Sequence, residues 1–286
     1  MLVIKNKNND KIKANSQKKE IKIVFSDIDG TLLNNEHKLS KLNLEALIKA
    51  KEKGVKVVFA TGRPFHSAEN VLSEVKKHDI NFIPGIYLNG CVTFSPNGEK
   101  VINNYLNKEL VSNIYNFCLK EDILKYVVWY SIDNTYCFNT NDNINNYINL
   151  EGLPPTIIKK EDLEVSIIYK VLICADNSNF DIIFKKCKNN FTPMINISNA
   201  YSTYIELYQK SSKFEGIKEI CKYYKLGLDN VLVIGDGEND IEMLEGVFSS
   251  VTPSNAPEKV KKYAKYIAPS NDNNTIHHVL QTFCSI

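Results

Sequence analysis

The chain has 286 residues, 43% of them hydrophobic and 24% charged, the make-up of a globular protein that can bury a core rather than of a disordered or fibrous one. At roughly 150 residues per domain, that length suggests two domains. Thirty-five Lys and Arg against 33 Asp and Glu leave a formal charge of +2 with the basic residues scattered, which argues against a nucleic-acid partner.

Residues 1–20 form a polar, Lys- and Asn-rich tail without an apolar h-region, and no apolar run reaches the roughly eighteen residues of a membrane span. Neither export nor a membrane is readable, so a cytoplasmic location is expected. The seven cysteines, at 91, 118, 137, 174, 187, 221 and 284, form no C-x-x-C pair. Their odd count and wide spacing point to reduced packing residues.

After the tail, Ile21 to Ser26 is a short β-rich run that stops at Asp27-Ile28-Asp29-Gly30-Thr31, a strand passing into a tight loop. Ser40 then offers an N-cap, Leu44, Leu47 and Ile48 recur at helical spacing, and Gly54 closes the pattern. Val55 to Ala60 is the next strand, ending at Thr61-Gly62-Arg63-Pro64. A helical stretch follows to about Lys77, and Ile86-Tyr87-Leu88 ends at Asn89-Gly90. Strands alternating with helices imply right-handed βαβ units and a parallel sheet.

Beyond Gly90 the rhythm changes to α+β, with alternating strand material from Tyr126 to Phe138, a polar helical stretch from Asn141 to Glu151, a strand from Tyr169 to Ala175 and a helix from Phe180 to Cys187. From about Asn199 the first pattern returns. Thr203 to Tyr208 is extended, Lys213 to Tyr224 helical, and Val231 to Ile234 a fully apolar strand ending at Gly235-Asp236-Gly237. Helix (Ala256 to Ala264), strand (Tyr266 to Ala268) and helix (Thr275 to Phe283) complete the chain. The expected architecture is a Rossmann-like parallel α/β core, residues 21–90 and 199–286, interrupted by an inserted α+β domain at 91–198.

In such a sheet the ligand crevice lies outside the carboxyl ends of the strands, where three polar clusters fall: Asp27 to Thr31, Thr61 to Arg63, and Gly235 to Asp240. Residues i and i+2 of an extended segment face the same side, so Asp27 and Asp29 can address one ligand while Ile28 points into the core. With Asp236 and Asp240 they would gather about four negative charges, and like charges 4 Å apart repel by about 4 kcal/mol at an effective dielectric near 20. Such a cluster needs a cation. Oxygen-only ligands without His or Cys favour Mg²⁺, which keeps positions for water and phosphate oxygens. Lys213 and the amide-rich turns at Gly30 and Gly62 suit a phosphate dianion.

These motifs, D-x-D-G-T, T-G-R, a single Lys opening a later helix and G-D-G-E-N-D, resemble the four motifs of the haloacid dehalogenase (HAD) superfamily. The string from Asp236 to Leu244 is similar to that of its Cof-type phosphatases. The resemblance covers nearly the whole chain after residue 20, including an insert that looks like a type C2 cap. It implies a phosphomonoester hydrolase acting on small phosphorylated metabolites such as sugar phosphates, with the insert as a lid that sets specificity. Asp27 would be the nucleophile that becomes an aspartyl phosphate, and Asp29 the general acid and then base. Mg²⁺ would be held by the Asp27 carboxylate, the Asp29 carbonyl and Asp236, with Asp240 as ligand or as support for one. Thr61 and the Gly62 amide would bind phosphoryl oxygens, Lys213 would neutralise charge, and Asn239 and Asn89 would contact phosphate and leaving group. Phe214 follows Lys213 where the family usually has Gly, which bears on the backbone at that helix start.

Arg63 carries an argument of its own. It is the one arginine among 35 basic residues, and it stands beside Thr61, where planar bidentate binding of phosphate would distinguish Arg from Lys. The competing reading is a structural salt bridge to a core carboxylate. The five histidines, at 37, 66, 78, 277 and 278, read as surface residues, and His277 and His278 are not expected to share a helical face. The aromatic stretch with Trp129 reads as the insert's sheet and core, with a sugar-stacking role open for one of its rings. A sugar phosphomutase of the same superfamily and a metabolite-sensing regulator with little turnover remain as alternatives; a true dehalogenase would leave Asp29 and the metal cluster without a job.

Overall fold

The computed structural model describes residues 3–4, 20–200 and 203–286, so most of the polar tail lies outside the described residues. Fifteen strands run along them in chain order: β1 (Val3–Ile4), β2 (Ile23–Ser26), β3 (Lys56–Ala60), β4 (Gly85–Tyr87), β5 (Val92–Phe94), β6 (Lys100–Asn103), β7 (Val127–Tyr130), β8 (Thr135–Cys137), β9 (Thr156–Ile157), β10 (Lys170–Cys174), β11 (Asn196–Ala200), β12 (Tyr204–Tyr208), β13 (Val231–Ile234), β14 (Ser249–Pro253) and β15 (Tyr266–Ala268). They make two sheets in two compact units. Among the described residues, the first unit comprises 3–4, 20–62, 71–101 and 212–286, and the second 63–70, 102–200 and 203–211.

In the first unit the order is β1-β15-β14-β13-β2-β3-β4-β5-β6. From β15 to β4 the pairs are parallel, and β1 and β5 add antiparallel neighbours at the two sides. The central strands are apolar apart from Ser26 at the end of β2 and Lys56 at the start of β3, as a sheet covered on both faces requires. Ile23, Phe25, Val58, Ala60, Ile86, Val231 and Val233 form a buried cluster with Ile217, Ile220, Met243 and Leu244. The expected helix boundaries hold for local reasons. Ser40 caps Lys41–Glu52 by accepting from the Asn43 amide at 3.1 Å, and Gly54 follows its end at φ +76. Ser212 accepts from Glu215 in the same way at the start of Lys213–Tyr224.

The second unit holds the sheet β11-β12-β10-β7-β8-β9, antiparallel except for the β8–β9 pair. The two-residue period divides its faces. Val127, Trp129, Val171, Ile173, Ile205 and Leu207 join the core of helices Lys108–Lys120 and Phe180–Phe191, with Trp129 fully buried. The alternate positions Tyr130, Lys170 and Glu206 are buried polar groups on the other face. There the Lys170 ammonium lies 2.7 Å from Glu206 and 4.3 Å from the centre of the Tyr130 ring.

Three boundaries differ from those read in the sequence, the first being residues 63–70, which fall in the second unit rather than in the core. Thr203 to Tyr208 was expected in the core sheet, yet β12 pairs along its length with β10 and β11 in the second unit, where Ile205 and Leu207 complete its core. An extended apolar run states that it is a strand, not which sheet it joins. In addition, residues 91–101 belong to the first unit, because β5 continues its sheet as the antiparallel neighbour of β4.

Candidate active site

The strands β13, β2 and β3 are adjacent in that order, and their carboxyl ends are level. Ser26 is in register with both Ile234 and Phe59, and the Asp27 amide donates to the Ile234 carbonyl at 2.9 Å. The three polar clusters leave these strands one residue later, so adjacency in the sheet brings Asp27, Thr61 and Asp236 to one end.

Oxygens of Asp27, Asp236 and Asp240 lie within 4.8 Å of one another. Lys213 is wholly buried at the first turn of its helix, with Nζ 2.6 Å from Asp27 Oδ1 and 2.7 Å from Asp240 Oδ1. Asp240 also accepts from the Gly237 amide through Oδ2 at 2.8 Å, so both of its oxygens are engaged in holding the turn and the lysine. Asp236 Oδ1 accepts from the Thr31 hydroxyl at 2.6 Å. Gly30, at φ +72, lies so close that a Cβ there would run into Asp236 Oδ2. Glycine is needed here both for the left-handed turn and for the approach of the carboxylate.

One ammonium faces three carboxylates, and the titration of the cluster reflects that imbalance. Burial raises Asp27 well above the usual carboxylate range; Lys213 opposes the rise, and Asp240, Asp236 and Asp29 add to it. Burial and then Asp240 push Asp236 up to about 7 against the Thr31 hydrogen bond and Lys213. Lys213 would lose its proton more readily through burial, but Asp240 and Asp27 outweigh that and raise it. The donor set is oxygen only, crowded and short of positive charge, which fits a hard divalent cation better than an empty structural site.

On the β3 side, Thr61 is buried and Gly62 follows it. The Thr61 amide donates to the Ile86 carbonyl at 2.8 Å, and the Asn89 amide to the Thr61 carbonyl at 3.1 Å. Asn89 has φ +58, and its Oδ1 accepts from Asn239 Nδ2 at 2.9 Å. The two asparagines, expected as separate contacts, therefore form one linked pair. Gly90 allows the approach of the lysine's helix, since a Cβ there would collide with the Ser212 carbonyl. Phe214 does not disturb that helix start: its ring fills the space that Gly246 leaves by lacking a Cβ.

Arg63, expected to bind phosphate, makes protein contacts that the sequence does not reveal. It falls in the second unit, 3% exposed, and donates to the Ser67 hydroxyl and the Glu151 carbonyl at 2.9 Å and to the Leu150 carbonyl at 3.0 Å, with Glu151 Oε2 at 3.7 Å. Those carbonyls end the helix Asp142–Glu151, where acceptors are left over and positive charge is favoured. The planar fork that argued for phosphate is used on two successive carbonyls, together with the salt bridge weighed against it.

None of the five histidines is buried, His78 being exposed and the others part-exposed, yet the rings of four of them make contacts. His37 Nδ1 lies 3.6 Å from Asp29 Oδ1, His66 Nδ1 is 3.3 Å from the Ile132 carbonyl, and the His277 and His278 rings meet edge to face at 5.3 Å. Residues that sequence reasoning passed over also brace the first loop: Asn255 donates to the Gly30 carbonyl at 2.9 Å, and Asn271 to the Leu33 carbonyl at 3.1 Å. Asparagine-rich loops carry no periodic signal, and only pairing across more than 200 residues reveals these contacts.

Comparison with known proteins agrees with this geometry. The profile of the haloacid dehalogenase-like hydrolases matches residues 24–280, and the chain belongs to that family. A Streptococcus pyogenes protein named "Putative phosphatase" is 30% identical over 270 residues, covering 91% of this chain and 97% of its own. Among solved structures, a HAD/COF-like hydrolase from Plasmodium vivax superposes with a TM-score of 0.87 at 24% identity, over 93% of this chain and 96% of the other. The HAD subclass IIB sugar phosphatase BT4131 gives 0.80 at 26% identity, over 93% and 100%. The protein is a HAD-type phosphatase of the Cof kind, with an acidic site able to hold a metal ion. No helix among the described residues is long and apolar enough to cross a membrane.

Proposed function

We propose that this phosphatase is a Mg²⁺-dependent phosphomonoester hydrolase working through an aspartyl-phosphate intermediate on small phosphorylated metabolites, sugar phosphates foremost. The observation that carries the reading is Asp27 at the end of β2, held by Lys213 and grouped within 4.8 Å with Asp236 and Asp240. The similarity to a sugar phosphatase supports the substrate class.

The Asp27 carboxylate, the Asp29 backbone carbonyl and Asp236 would hold the cation, with Asp240 fixing Lys213 and the Gly237 turn. When bound, Mg²⁺ supplies positive charge against the phosphoryl oxygens and leaves Asp27 ionised and directed at phosphorus. Thr61, the Gly62 amide, Asn239 and Lys213 receive the remaining phosphoryl oxygens, and Asn89 positions Asn239.

In the first step an Asp27 oxygen bonds to phosphorus as the bond from phosphorus to the leaving oxygen breaks, and Asp29 gives that oxygen its proton, releasing the alcohol. In the second, water attacks phosphorus, its proton passes to Asp29, and the bond to Asp27 breaks to yield inorganic phosphate and the original carboxylate. Asp27→Asn and, separately, removal of divalent metal should each abolish hydrolysis of p-nitrophenyl phosphate. Turnover retained in either case overturns the mechanism.

A further inference from the structure

We propose that His37 is a positioning residue for Asp29: its ring holds one carboxyl oxygen so that the other is presented to the leaving group. This rests on the reading of Asp29 as the general acid. His37 Nδ1 is shut off from solvent and makes no hydrogen bond among the described residues, and the group it faces, 3.6 Å away, is Asp29 Oδ1. Catalytic hydrogen bonds are often long without substrate and tighten on binding. A neutral Nδ1–H suffices for the contact, so the proposal needs no change in the charge of the ring.

The loop around His37 is built to hold it. Asn34 exchanges with Lys38, its amide donating to the Lys38 carbonyl at 3.0 Å, and its side-chain oxygen accepts from the Glu36 and Lys38 amides at 3.0 and 2.9 Å. The His37 amide donates back to the Asn34 carbonyl at 2.9 Å, and Leu33 bridges Leu39 below the turn. The turn is then tied to the end of the chain, for Asn35 meets Asp272 through its amide at 2.9 Å and its side chain at 2.6 Å, and Asn271 donates to Asn35 at 3.0 Å. Within this frame His37 adopts φ +56, a left-handed conformation uncommon for a residue with a β-carbon. A turn needing that backbone alone would be served by Gly or Asn; the imidazole adds a donor directed at a carboxyl group that must stay oriented.

The test is a leaving-group comparison on kcat/KM, which reports transfer to Asp27 and not the later hydrolysis. p-Nitrophenoxide departs without a proton, whereas the alkoxide of glycerol 2-phosphate needs one. His37→Gly keeps the backbone conformation accessible and removes the donor, so kcat/KM should fall about tenfold or more with glycerol 2-phosphate and no more than about twofold with p-nitrophenyl phosphate. His37→Asn tolerates the same backbone and places Nδ2 where Nδ1 stood, and it should recover most of the loss. Equal losses on both substrates in His37→Gly, or His37→Asn no better than His37→Gly, overturn the proposal. Asp29→Asn separates the two levels of the argument. If it shows the same leaving-group dependence while His37→Gly does not, only the role of His37 falls; if it shows none, the general-acid reading falls with it.

Discussion

Both units bury lysine against carboxylate, and they do so in opposite arithmetic. In the second unit Lys170 faces Glu206 at 2.7 Å and leans on the Tyr130 ring, an ammonium set against a carboxylate on the polar face of a sheet. In the first, Lys213 stands between Asp27 and Asp240 with Asp236 beside them, one cation for three acids. A balanced buried pair is complete as it stands and can serve structure alone, whereas an unbalanced cluster is a site that awaits further positive charge. Arg63, with Glu151 Oε2 at 3.7 Å, is likewise one cation near one carboxylate, and its guanidinium also donates to the carbonyls that end a helix.

The largest expected effect is on catalysis. Asp27→Asn should lower aryl phosphate turnover by about 10³-fold or more, while melting no lower than wild type in the absence of metal, because it relieves like-charge crowding. A melting temperature that falls by several degrees would mean that the cluster is balanced after all.

Two lysine variants sharpen the contrast. Lys170→Met removes the ammonium 2.7 Å from buried Glu206 and should cost about 3–5 kcal/mol in denaturant unfolding, with no recovery on adding Mg²⁺. Lys213→Met should also destabilise, by about the same amount, but Mg²⁺ should restore part of the loss because the abandoned carboxylates can bind it. Equal responses of the two variants to Mg²⁺ would erase the distinction.

Smaller effects follow from pH. The raised Asp236 means that the metal-free protein holds a proton there which the unfolded chain gives up near pH 4. That contribution to stability is fully present below the unfolded value and is lost as pH rises through about 7. Thermal scans should therefore show Mg²⁺ raising the melting temperature more at pH 8 than at pH 6; the reverse order would contradict the assignment of Asp236. Smallest of all, Arg63→Lys should cost about 1–2 kcal/mol of stability through the lost carbonyl contacts, with kcat/KM per folded molecule nearly unchanged. A loss of affinity for substrate without a loss of stability would return Arg63 to the phosphate site.

Much of this was legible in the residues. The helix Lys213–Tyr224 and the strand Val231–Ile234 appear at the bounds that capping and apolar runs predict, since both signals are local and act over a few residues. That Asp27, Thr61 and Asp236 come to one end of the sheet was legible because each follows such a strand. The place of His37 was not: nothing in Asn34 to Lys38 distinguishes a surface turn from one that faces the Asp29 carboxyl, and that approach depends on the three-dimensional course of the loop. The linked pair of Asn89 and Asn239 was read as two separate residues, because 150 positions of chain lie between them.

The amino-acid sequence alone determined the kinds of element, their order, and the chemistry placed at the strand ends, because backbone propensity, capping and side-chain period are properties of neighbours along the chain. The tertiary structure decided that β13, β2 and β3 lie side by side, that β12 joins the second sheet, and that Arg63 ends a helix while His37 faces Asp29. Those outcomes turn on which of several compatible partners buries the most apolar surface and satisfies the most polar groups at once, a competition settled only when the whole chain has packed.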